Sequence, residues 1–380
     1  MPAGNAHSLV SYRREFPILE RRTYLNSCSL GALSRRSRAR LAAFLDEWDD
    51  RGAAAWYDVW WDRLGELRRG YGWAIGARPD EIALHASVST ATAVLAGALD
   101  YRRRPKVVTT ALDFPTVAYQ WLAKRPLGVE VEIVPSPDGV SVSPEAIAAA
   151  IDDRTALVAT SHVYFTSGAV QDVAAVAAAA HAHGALCYVD GYQAAGQLPV
   201  DVHALGVDFY SAGGLKWLLG GPGITFLYVQ PERVRALEPT VTGWFANARQ
   251  FDFDSSAIEW HADARRFEQG TPALAAVHLQ LGGLELLREI GIDAIRSVTA
   301  RLVEDLIARA RDAGLRPRVA AAPRDRAAIV MIPSADPEAA VRRLAERRIV
   351  VDARPGHVRI SPFFYNTEDE NAAVIEALER

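Results

Sequence analysis

Lysine is almost missing from this chain. Among 42 basic residues it stands only at Lys106, Lys124 and Lys216, and arginine carries the remaining positive charge. Cysteine is as scarce: Cys28 and Cys187 cannot build a disulfide framework, and neither lies in a CxxC pair or in a Cys/His cluster with metal-ligand spacing, so no metal site is expected. No apolar run approaches the roughly 18 residues that read as a membrane span. The first residues lack a basic stretch followed by an apolar one, which predicts a cytoplasmic protein without a signal peptide. With a net charge of -4 there is no global basic field, so nucleic acid is not an expected partner. What remains is a 380-residue chain that is 50% hydrophobic, long enough for two packed domains and suited to work on a small molecule.

Within it, Lys106 (RRRPK) and Lys124 (LAKRP) occupy charged stretches, whereas Lys216 stands in YSAGGLKWLLGGPGITFLYV among glycines and apolar residues. An ammonium in apolar surroundings loses proton affinity and becomes a usable amine, as a Schiff base to an aldehyde requires. A lysine snorkelling out of a turn is the other reading.

From about residue 80 to 230, short β-branched runs alternate with alanine-rich helical runs, the pattern of a parallel sheet covered by helices. EIALH, KVVTT, VEVEIVP, ALVATSHV, ALCYVDG and GITFLYV read as strands. SVSTATAVLAGAL, DFPTVAYQWLAKR, SPEAIAAAI and AVQDVAAVAAAAHAHG read as helices, with Asp113 expected to cap the second. Beyond residue 260 two long amphipathic helices lead into a smaller α+β region ending in a helix from about Asn366. The stretch EWDDRGAAAWYDVWWDRLGELRR reads as one long tryptophan-rich helical region whose aromatic face suits core packing or a subunit contact. The chain divides accordingly into an N-terminal segment (1–30) joining the small domain, a large domain (31–260) and a small C-terminal domain (261–380).

Chemistry-bearing residues gather at strand ends. Asp190 closes ALCYVD, where a carboxylate can pair with a protonated pyridine nitrogen or cap the next element. Gln193 follows within reach of a ring oxygen. Val88, Ser89 and Thr90 open a helix, with N–H groups, hydroxyls and a dipole suited to phosphate or to plain capping. Phe114 in DFPT could stack on a ring or pack in the core. Gly220, Gly221 and Gly223 permit close backbone approach. Arg359 in GHVRISPFFYNT offers a fork for a carboxylate, or a surface charge. His162 and His357 each fit either a site or a hydrogen-bonded structural role.

These blocks together resemble class V of the fold-type I pyridoxal-phosphate enzymes, the group of cysteine desulfurases, isopenicillin-N-epimerase-like proteins and kynureninases. LNSCSLGALS, SVSTATA, SHVYFTSGAVQDV, YVDGYQAAGQLPVDV, GLKWLLGGPG, RRFEQGTPALAAVHL and VRISPFFYNTEDE carry the likeness, in the family's order and over nearly the whole length. The resemblance implies a large α/β domain with a mainly parallel, seven-stranded type of sheet and a smaller α+β domain. It implies pyridoxal 5'-phosphate bound by Val88, Ser89, Thr90, Phe114, Thr166, Asp190, Gln193 and Lys216, with Thr271 lent by the neighbouring subunit of a homodimer. Lys216 would be the catalytic lysine, and Asn26, Cys28, Trp244 and Arg359 would meet the amino-acid substrate.

DFPT, GGPG after KWLL, and GWFANARQFDF lean toward kynureninase-like members. RPGHVRIS has no cysteine where desulfurases carry their nucleophile, which disfavours persulfide chemistry. Gln193 and Leu215 replace the histidine and tyrosine usual in kynureninases, so contacts made by those side chains are missing. The implied activity is cleavage of a C–S or C–C bond on the β-carbon side. Transamination or epimerisation is the alternative within the family, and a non-catalytic binding protein the alternative outside it.

Overall fold

The computed structural model describes residues 9–379; the first eight residues of the expected 1–30 segment, and Arg380, lie outside the described residues. Its strands are β1 (Thr23–Tyr24), β2 (Ile82–His85), β3 (Lys106–Thr110), β4 (Glu130–Val134), β5 (Thr155–Ser161), β6 (Leu186–Asp190), β7 (Phe209–Gly213), β8 (Thr225–Val229), β9 (Val330–Pro333), β10 (Ile349–Val350), β11 (Asp352–Arg354) and β12 (His357–Ile360). The helices are α1 (Arg35–Arg51), α2 (Trp61–Ile75), α3 (Val88–Ala98), α4 (Pro115–Leu122), α5 (Pro144–Ala149), α6 (Val173–Ala182), α7 (Val202–Leu205), α8 (Pro231–Ala236), α9 (Leu274–Ile290), α10 (Ile292–Asp312), α11 (Pro337–Glu346) and α12 (Glu368–Leu378). No helix among the described residues is long and apolar enough to cross a membrane.

Seven strands form the main sheet in the order β2-β8-β7-β6-β5-β3-β4, and every neighbouring pair is parallel except the two made by β8. Successive residues of a strand face opposite sides. Val107, Leu157, Tyr188 and Phe209 therefore pack with Ala91, Val94, Leu95, Val117 and Trp121 of α3 and α4. Val108, Val158, Val189 and Tyr210 face the other way, against α6 and the core shared with α2, α9 and α10. Both faces being covered, the sheet is buried as parallel sheets are.

The structure adds a strand and refines a helical region. Strand β7, FYSAG, escapes sequence analysis because burial on both faces removes the alternation that marks a strand, and its last three residues are small. The tryptophan-rich stretch is helical throughout, but not as one α-helix: α1 stops at Arg51, Gly52 takes φ +51 in a 3-10 turn (Gly52–Ala54), and a π-helical turn (Trp56–Trp60) runs into α2 at Trp61.

The C-terminal half carries the antiparallel sheet β11-β12-β9 with α10 and α11 against it and α12 packed on those two helices. The N-terminal segment ties onto this sheet region: β1 pairs parallel with β10, Asn26 bridges to Ser361, and Phe16 packs on Phe364 and Tyr365.

Candidate active site

Because β2, β3, β5, β6 and β7 run the same way, their C-terminal ends lie along one edge of the sheet, and the loops leaving them converge there. A cleft of about 460 Å³ opens at this edge, within the usual size of a ligand pocket. Cys28, Val88, Ser89, Phe114, Asp190, Gln193, Lys216 and Arg359 all line it. Residues separated by up to 331 positions thus meet at one place.

Lys216 follows β7 in a turn held by bonds from Gly220 N to the Gly214 carbonyl and from Leu219 N to the Lys216 carbonyl. The strained residue of the turn is Leu219, at φ +56; of the three glycines beyond it only Gly223 needs positive φ, whereas Gly220 is required because a Cβ would meet the Gln280 side chain at 2.3 Å. Lys216 Nζ lies 4.7 Å from the centre of the Tyr192 ring and 5.8 Å from that of Phe114. Burial pushes its pKa down to about 8, partly opposed by the Asp190 carboxylate. The snorkelling reading fails, since the ammonium stands over two aromatic rings within the cleft.

Asp190 is 6% exposed, and burial pushes its carboxyl up to about 6, although Tyr192 N donates to Oδ1 at 2.9 Å. That bond is a short turn cap, so the structural role exists, and the carboxylate also faces the lysine's cleft. A buried carboxylate without a resident cation is poised for one.

At the mouth of α3 the capping work is done by Ser87 and Thr90: Thr90 N donates to Ser87 Oγ, Ser87 N donates to Thr90 Oγ1, and the Thr90 hydroxyl donates to the Ser87 carbonyl. Thr90 is thereby turned away and does not line the cleft. The Val88 and Ser89 N–H groups belong to the first turn, where no helix carbonyl can accept them. With the exposed Ser89 hydroxyl, 3.3 Å from Thr116 Oγ1, they form an anion cradle at the positive end of the helix dipole.

Phe114, 44% exposed and edge-on to Phe165, presents a face to the cleft and so is not core packing. Asp113 does not cap α4. It is buried beneath, accepting from Thr109 Oγ1, Thr110 N, Thr110 Oγ1 and Ser161 N, and so ties β3 to β5 below Phe114. Gln193 donates to the Cys28 carbonyl at 3.0 Å and accepts from Trp217 Nε1 at 2.8 Å, so its amide chiefly braces the N-terminal segment against the sheet. Cys28 is buried in the same wall, its N–H donating to Ser361 Oγ.

Arg359 is 2% exposed, donating to the Phe165 carbonyl at 3.1 Å and, through Nη2, to Ser29 Oγ and Asp352 Oδ2 at 2.7 Å each. Its Nε is buried with no partner, as a donor awaiting an anion would be. His162 is a core histidine, its Nδ1 3.1 Å from Tyr210 Oη and its pKa pushed by burial to about 4. His357 only contacts the Pro355 carbonyl.

Four other expected residues stand off this cleft. Asn26 sits in the bridge to Ser361, its Oδ1 3.8 Å from Cys28 Sγ. Thr166 has a buried, unpartnered Oγ1 and a carbonyl bonded to Arg318. Thr271 is exposed. Trp244 packs among Phe245, Phe251 and Phe253 and donates to the Gln250 carbonyl. Sequence analysis, in turn, missed Ser29, Ser87, Thr116, Phe165, Tyr192 and Arg354, all of which line the cleft. Tyr192, two residues past Asp190 in a strand-end loop, was the most accessible of these to sequence reasoning.

The donor set fits pyridoxal phosphate on structural grounds: a free cradle for an anion, an amine of lowered basicity, a buried carboxylate lacking a cation and an aromatic face between them. Comparison with known proteins agrees. The family model described as aminotransferase class-V matches residues 64–373. An uncharacterized aminotransferase, YcbU, of Bacillus subtilis is 34% identical over 372 residues, covering 98% of each chain. A kynureninase of Pseudomonas fluorescens is 30% identical over 309 residues, 78% of this chain and 72% of its own. Among solved structures, a C-DES variant with glycine covalently linked to the PLP cofactor superposes with a TM-score of 0.90 at 23% identity, covering 97% of this chain and 98% of the other, which bears on the fold alone.

Proposed function

From the premise that the chain belongs to the class V aminotransferase family and is a pyridoxal-phosphate-dependent enzyme, we propose that it cleaves a C–S or C–C bond on the β-carbon side of an amino acid. The meeting of Lys216, Asp190 and Arg359 on one cleft carries the cofactor chemistry, and the kynureninase relative supports the cleavage outcome.

Val88 and Ser89 would hold the phosphate, Phe114 would lie against the ring, and Asp190 would pair with its nitrogen. When bound, pyridoxal phosphate supplies an aldehyde for an amino group and an electron sink for charge released at the substrate Cα. Arg359 receives the substrate carboxylate, using its unpaired Nε and a framework of three acceptors that prevents the guanidinium from rotating. Lys216 Nζ moves the proton at Cα: with a pKa near 8 it is both an adequate acceptor and an adequate donor close to neutral pH. Val163, Phe165 and Leu215 keep the apolar side of the cleft dry, which strengthens each of these interactions. The Arg354–Arg359 interval contains no thiol, which disfavours a persulfide route through that hairpin.

Amino-group transfer is the second reading, favoured by the name of the 34% identical relative. A screen of amino acids with product analysis separates the two. We expect pyruvate and sulfide, or alanine, to form without an added keto acid, and Lys216→Ala to abolish turnover. Turnover that depends on a keto-acid acceptor would overturn the cleavage reading. Because Thr271 and Trp244 stand away from their own chain's cleft, we also read the enzyme as a homodimer in which they serve the neighbouring site.

A further inference from the structure

We propose that Asp352 decides which amino acids the site accepts, disfavouring substrates whose side chain carries a second anionic group. The proposal rests on the reading of Arg359 as the carboxylate partner. In the β11–β12 hairpin Asp352 pairs with Arg359, and Arg354, two residues along the same strand, shares its face. Both guanidiniums line the cleft. Two arginines in one pocket would by themselves suit a substrate with two anionic groups.

Asp352 changes that count. Its Oδ2 accepts from Arg359 Nη2 and from Ser29 Oγ at 2.7 Å each, and forms an ion pair with Arg354 Nη2 at 2.8 Å. Burial raises the proton affinity of this carboxyl, but the Ser29 hydroxyl and the two guanidiniums outweigh it and hold its pKa below the usual carboxylate range. It is therefore ionised at neutral pH. Two guanidiniums less one carboxylate leave a single positive charge, which one α-carboxylate neutralises. A second anionic group would face an occupied Arg354 and leave negative charge uncompensated beside the buried Arg359. Arg354 is also held at Nη1 by the Ala353 carbonyl, 2.6 Å away, so it is not free to turn toward such a group. Lys216 and Asp190 also line the cleft, and the Asp190 carboxylate offsets the charge of the lysine amine.

The test is a titration of the purified holoenzyme with L-2-aminobutyrate and with L-aspartate, reading cofactor absorbance. The wild type should bind aminobutyrate at least tenfold more tightly than aspartate. Asp352→Asn should bring the ratio to unity or reverse it, mainly by tightening aspartate. Arg354→Gln, which keeps the carboxylate, should move the ratio the other way and guards against a fold defect in the first variant. Equal wild-type affinities, or a ratio that neither variant moves, would overturn the proposal. Absence of a cofactor band would count against the cofactor site instead; the charge count is then read without cofactor, from the melting-temperature shifts given by propionate and succinate, and equal shifts overturn it.

Discussion

Lys216 combines a rare residue type with a position only a fold can explain. The Tyr192 and Phe114 rings stand over its ammonium, and burial brings its pKa down to about 8. An amine attacks an aldehyde only in its free form. The rate at which cofactor-stripped protein takes up pyridoxal phosphate should therefore rise through pH 8 and flatten above pH 9, followed by absorbance after mixing. A midpoint near the ordinary lysine value of about 10.4 would contradict the buried amine. Sequence analysis reaches this residue through the scarcity of lysine and its glycine-rich surroundings. It does not reach Ser29 or Arg354, because a serine in a loop and one arginine among many carry no local signal; only the hairpin register and the packing of the N-terminal segment put them in the cleft.

At the level of elements, the N-terminal segment, the lysine turn and the edge of the sheet act as one unit. Gly31 N donates to the Leu215 carbonyl at 2.8 Å, and a Cβ on Gly31 would stand 2.2 Å from the Lys216 carbonyl oxygen. That contact is backbone against backbone, with nothing flexible to yield. Gly31→Ala should cost about 1–3 kcal/mol of stability and also displace the lysine, so that cofactor retention falls more than the change in melting temperature implies. Retention equal to wild type would show that the two segments move independently. The helices and most strands of this unit were legible because their apolar periods are regular. Strand β7 and the buried role of Asp113 were not, since a fully buried strand shows no alternation and a carboxylate at a helix start looks like a cap until its partners are known.

For the whole molecule the decisive question is what completes the site. Thr271 is exposed before α9, and Trp244, 41% exposed, belongs to an aromatic cluster reaching Trp61 and Tyr57 through Phe245 and Phe251. If Thr271 serves the opposite chain, mixed dimers of Lys216→Ala and Thr271→Ala subunits regain one intact site, and cofactor binding should recover toward half the wild-type capacity. No recovery above the parent variants would place Thr271 in its own chain's site. By itself the sequence determined the alternation of strands and helices, the lone lysine among glycines and the order of motifs, because each depends on residues close together in the chain. The tertiary structure alone decided that Ser29 of the N-terminal segment joins Asp352 and Arg359, that Asp113 ties β3 to β5, and that Phe114 faces a cleft. Those outcomes depend on strand register and on which loops meet at one edge of the sheet, and no local pattern encodes a meeting between residues so far apart in the chain.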